Sequence, residues 1–213
     1  MECRRNLFWY PRMNVKNSCR AKLIRLFIRI ITSNFTNIKA DFSMCRFKQI
    51  IPPLFSNFHY IPDILRCYDR YAKYLQDDYA VDFDIFRSCP NFWIITDYSD
   101  KFMGFVFLDN FTGNGNSNFS AEITVCFGKK AWGSFVRYSA KLFLKYCFDT
   151  FGFYKIKALI FPDNFRVKTL LKQVGFEYET TLPDETLRGG KLQDIEVYSI
   201  KRNYYYKSEV NYD

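Results

Sequence analysis

SAEITVCFGKKAWGSFVRYSAKLFLKYCF, residues 120–148, decides the fold of this chain. The stretch 119–128 (FSAEITVCFG) is rich in β-branched and aromatic residues and predicts a strand. The period then becomes helical. From Ala131 to Phe151, Phe135, Leu142, Phe143 and Tyr146 line one side and Ala140, Leu144, Cys147 and Phe148 another. Arg137, Lys141 and Lys145, spaced i, i+4, i+8, form one exposed stripe. A strand, a tight turn and an amphipathic helix in that order predict a helix packed on a sheet.

The neighbouring segments extend the pattern. Downstream, KIKALIF (155–161) predicts a strand and PDNFRVKTLLKQV (162–174) a helix that starts at Pro162 and Asp163 and ends at Gly175. FEYETTL (176–182) and KLQDIEVYSIKR (191–202) predict two strands about a turn at 187–190, with residues 203–213 as a loose tail. Upstream, FWIITDY (92–98) and KFMGFVFLDNF (101–111) predict strands joined at Ser99 and Asp100, and 112–118 a hairpin loop. Before them come a short strand at 46–51 closed by Pro52 and Pro53, a helix over 60–75 and a short helix or loop over 81–89. The order β-α-α-β-β-β-α-β-α-β-β is that of a mixed sheet with crossover helices, an α/β fold.

Composition narrows the function. The chain has 213 residues, 48% hydrophobic and 25% charged, which suits a packed core and excludes disorder and collagen-like structure. The net charge of +9 is uneven: residues 1–45 carry nine Lys/Arg and two acids, so the other 168 residues are close to neutral. Residues 1–45 are read as a basic N-terminal extension. Within it, residues 19–31 predict an amphipathic helix with Lys22, Arg25 and Arg29 on one face. Three readings stand for that extension: an anchor for a membrane surface or nucleic acid, a docked helix with a solvated basic face, or a leader upstream of Met44. Leu23–Ile31 is too short and too charged to span a membrane. The tyrosines at 204–206 also suit stacking on nucleic-acid bases.

Seven cysteines at wide spacings give no zinc or disulfide pattern and predict free thiols in a reducing cytoplasm. The lone histidine, His59, leaves little room for zinc or triad chemistry and reads as a structural or surface residue. All nine glycines lie between 104 and 190, so any close approach of backbone to a phosphate belongs to the second half of the chain.

Three segments, in sequence, resemble the GNAT superfamily of acyl-CoA-dependent N-acetyltransferases, and within it the ribosomal-protein N-terminal acetyltransferase branch. They are the quoted strand–turn–helix, KIKALIFPDNFRVKTLLKQVGFEYE (155–179) and ETLRGGKLQDIEVYSIKR (185–202). The resemblance implies a mixed, mostly antiparallel sheet flanked by helices, with a V-shaped cofactor cleft, over residues 46–202. It implies acetyl-CoA as cosubstrate and an amine acceptor, on a peptide or a small molecule. The family's phosphate loop falls on Trp132, Gly133, Ser134 and Arg137, with Lys129 and Lys130 beside it, because helix N-terminal N–H groups bind phosphate. Phe135 stands where the family has its central glycine. Backbone of Val125 to Phe127 falls where the oxyanion is met, Asn164 where the cofactor is contacted, and Glu122 where the family places its base. Val167 replaces a thiol-side serine, and residues 168–174 hold no tyrosine to act as acid. Two readings stay open: direct acetyl transfer with Glu122 as base, or a GNAT fold without catalysis serving in a homo-oligomer or a larger assembly, with Phe135 filling the cleft.

Overall fold

The computed structural model describes residues 44–50, 58–79, 91–114 and 117–210. The readings placed on residues 1–43, on Pro52 and Pro53 and on the 81–89 helix lie outside them. Seven strands form one sheet: β1 (Cys45–Ile50), β2 (Phe92–Asp97), β3 (Phe102–Asn114), β4 (Ser117–Phe127), β5 (Lys155–Ile160), β6 (Glu177–Arg188) and β7 (Lys191–Lys201). Their spatial order is β1-β2-β3-β4-β5-β7-β6, and only β4–β5 is parallel. This is the mixed, mostly antiparallel sheet expected from the sequence.

Four helices accompany it: α1 (Ile61–Leu75), α2 (Ser134–Phe151), α3 (Phe165–Gln173) and α4 (Arg202–Val210). The unbroken apolar runs of β2 and β3 follow from burial on both faces. Phe92, Ile94, Phe105 and Phe107 pack with Ile64, Cys67 and Tyr68 of α1. Trp93, Ile95, Val106 and Leu108 pack with Phe143, Leu144 and Phe148 of α2. Helices on opposite faces thus claim alternate residues of the same strands. Arg137, Lys141 and Lys145 are exposed, as their stripe predicts.

Several boundaries differ from the sequence expectations. β3 and β4 run to Asn114 and from Ser117, so the expected 112–118 loop is mostly strand. α3 starts after Asn164 rather than at Pro162, because the Asn164 side chain accepts the Val167 N–H at 3.4 Å and caps the helix there. Residues 202–210 are not a loose tail: α4 buries Tyr205, whose hydroxyl donates to the Lys141 carbonyl at 3.0 Å. His59 is exposed, in a 3-10 turn. Gly104 pairs with Phe127 of β4, and a Cβ there would lie 2.4 Å from the Cys126 carbonyl oxygen.

Candidate functional site

β4 and β5 share only three register pairs, Ser120–Lys155, Ala121–Ile156 and Glu122–Lys157. Beyond Glu122, β4 pairs only with β3, and beyond Lys157, β5 pairs only with β7. The two strands therefore splay, and their facing edges open a V. A cavity of about 170 Å³ occupies it. Ile123, Thr124, Val125 and Phe127 line it from β4, Ala158, Leu159 and Ile160 from β5. Ser139, Ala140 and Phe143 of α2 close one side, Asn164 and Val167 another, and Tyr74 and Leu75 come in from α1.

At the mouth, Gly133 precedes α2 with φ +126° and ψ −140°, a conformation that L side chains rarely adopt. No side chain caps α2, and its first turn holds no acid. Its leading N–H groups and the positive end of its dipole therefore suit an anion. Lys129, Lys130, Ser134 and Arg137 are all exposed around that turn. Trp132 stacks edge-on to Phe127, with ring centroids 6.2 Å apart, and carries the Arg166 guanidinium 4.9 Å above its own ring. A pyrophosphate would meet one helix N-terminus and a cluster of cations, while the acyl arm would meet the apolar V.

The expected site residues divide by location. Val125, Phe127 and Asn164 line the cleft, and Lys129, Lys130, Trp132, Gly133, Ser134 and Arg137 gather at its mouth. Phe135 is absent from the lining and packs, half-buried, against the α2-side core. Glu122 forms the last β4–β5 pair before the splay, on the strand face that it shares with Thr124, so it reaches the cleft across roughly one 7 Å i to i+2 step. Asn110 donates to its Oε2 at 2.7 Å, and Asp109 stands directly opposite on β3. Burial first, and the Glu122 charge second, push the Asp109 carboxyl up to about 7. Two carboxylates thus share a strand face, one of them protonated near neutrality.

Three residues escaped the sequence reading. Asp109 follows an apolar run that gives no sign of a carboxylate partner. Arg166 reads as one more helical cation until Trp132 is found beneath it. Tyr74 lies on a helix far from the motif in sequence, and only the sheet order brings it to the cleft.

The model of the acetyltransferase (GNAT) domain matches residues 56–177. Among solved structures, the spermidine N-acetyltransferase from Vibrio cholerae in complex with CoA and spermine superposes with a TM-score of 0.62 at 19% identity, over 76% of this chain and 98% of that one. Mutant forms of the spermidine/spermine N-acetyltransferase SpeG from Vibrio cholerae align at 24% identity with a TM-score of 0.50, over 55% of this chain and 67% of that one. No curated protein matches by sequence.

Proposed function

Because this chain belongs to the GNAT acetyltransferase family, we propose that it transfers the acetyl group of acetyl-CoA to a primary amine by direct attack. The observation that carries this reading is the splay of β4 from β5 beside an uncapped, glycine-led helix N-terminus. Lys129, Lys130, Arg137 and Arg166 would hold the phosphates, Gly133 would let the backbone turn toward them, and the V would take the acyl arm. Glu122 would accept the amine proton along the Thr124 face, directly or through one water. Bound acetyl-CoA supplies the activated acyl group.

A small polyamine is the first acceptor to test, since the solved neighbour is a spermidine N-acetyltransferase holding spermine. A peptide N-terminus is the second, supported by the three segments that resemble the ribosomal-protein branch. The inactive reading loses its main support, because Phe135 does not fill the cleft. A reducing cytoplasm fits the four free, buried cysteines among the described residues.

Calorimetric titration with acetyl-CoA tests the proposal. Micromolar to submillimolar binding is expected, and none at millimolar ligand would overturn it. Gly133→Val is expected to weaken that binding about tenfold or more. A β-branched residue at φ +126° costs about 1–3 kcal/mol, and ~1.4 kcal/mol is a factor of ten. No Cβ neighbour lies within 4 Å, so the loss would come from backbone conformation rather than a clash.

A further inference from the structure

The cleft is short of proton donors. Among the described lining residues, Tyr74 is the single titratable side chain. The other polar groups there are Thr124, Ser139 and Asn164. Ser139 is committed to the Val136 carbonyl at 3.1 Å, and Asn164 caps α3. The α3 wall is apolar, with Val167, Leu170 and Leu171 facing the cavity. Glu122 sits below the splay and serves the incoming amine. Among the described residues of the lining, a departing thiolate would therefore meet one acidic hydroxyl, that of Tyr74.

The placing of Tyr74 is built rather than incidental. It lies in the last turn of α1, with the Lys73 ammonium 4.5 Å over its ring. The chain on either side is bound to the β6–β7 hairpin. The Arg188 guanidinium donates to the Lys73 carbonyl at 2.9 Å and to both carboxylate oxygens of Asp163 at 3.2 Å. Asp163 is the neighbour of Asn164, so one guanidinium ties the Tyr74 wall to the opposite wall. The Asp78 carboxylate accepts the Gly189 and Gly190 N–H groups at 2.7 Å each, and the Asp77 carboxylate accepts the Thr186 hydroxyl at 2.6 Å. A side chain held this way keeps its direction without a bond to its own hydroxyl.

We propose that Tyr74 is the catalytic acid of this site, giving its phenolic proton to the sulfur as the thioester opens. The inference rests on the acetyl-transfer reading above. In the step, the amine lone pair forms the new C–N bond and the C–S bond breaks. The sulfur takes the electron pair and then the Tyr74 proton. Glu122 takes the proton that the amine sheds before attack and passes it to solvent, and the proton lost from nitrogen as the amide forms returns through solvent to the tyrosinate.

Tyr74→Phe tests it, because the ring and its packing remain. Two rates are measured with acetyl-CoA: transfer to spermidine, and slow hydrolysis with water as acceptor. Both are expected to fall about 10- to 100-fold in kcat, with KM for acetyl-CoA within twofold. A merely structural role would move KM or thermal stability instead of kcat for both acceptors. Wild-type turnover with an unaltered Tyr74→Phe rate would overturn this inference alone. A wild type that neither binds nor consumes acetyl-CoA would overturn the acetyl-transfer reading together with it.

Discussion

Glu122→Gln is expected to lower kcat by about two to three orders of magnitude at pH 7, the usual worth of a positioned general base. The amide keeps the length of the side chain and still accepts the Asn110 hydrogen bond, so the geometry of β3 and β4 is retained. What disappears is the site that receives the amine proton. Acetyl-CoA affinity should stay within twofold, since Glu122 lies outside the cleft lining and away from the phosphate turn. The deficit should also shrink as pH rises. A primary amine grows about tenfold in free-base fraction per pH unit below its own pKa, and a free base needs no help losing that proton. Steady-state kinetics from pH 6 to 9 check both parts. A drop of less than threefold, or one constant with pH, would remove Glu122 from the mechanism.

Asp109→Asn is expected to stabilise the protein at pH 8 and to flatten its stability between pH 5 and 8. Asp109 is held protonated up to about 7 by burial and by the Glu122 charge opposite, whereas in the unfolded chain it ionises near 3.8. The folded state therefore binds the extra proton, and stability falls as pH rises through this window and levels off above pH 7. Two units at ~1.4 kcal/mol each amount to about 3 kcal/mol between pH 5 and 8, a contribution present at the acid end. Other carboxylates work at lower pH. Asp149 and Glu179 are pulled down by hydrogen bonds from Tyr206 and Ser199, against the upward push of burial, and by their lysine partners. Their stabilisation is present above the ordinary carboxylate range and is lost only on acidification through their lowered values. Urea denaturation at pH 5 and 8 separates the two regimes. Equal slopes for wild type and variant would refute the assignment to Asp109.

The second half of the fold was readable because each element there carries a local signal. The strand at Glu122, the helix from Ser134 and the strand at Lys155 follow in sequence, and their periods are clean. Gly133 and Asn164 sit at helix starts, where the turn favours such residue types, whereas Glu122 lies mid-strand and was reached only through the family resemblance. What lay beyond reach was anything made by pairing across distance. Asp109 becomes a proton-holding group only when the fold buries it and β3 sets it against Glu122. Tyr74 becomes a cleft residue only when α1 is pinned to a hairpin more than a hundred residues away. The C-terminal helix was missed because NYYYKSEV has little helical amphipathicity. Its stability comes from Tyr205 entering the core beside Phe148.

The three-pair seam between β4 and β5 also says something about how this sheet assembles. Strands β1 to β4 are joined by antiparallel pairings and can complete one another as soon as Phe127 is made. β5 shares three register pairs with β4 and six with β7, which pairs Ile156 with Ile200 near the far end of the chain. During synthesis, β5 must wait with its other edge, the one turned away from β4, unpaired until the closing hairpin emerges. Loop closure over that span precedes any gain from contact, so the last-formed part of the molecule is the part that opens the site.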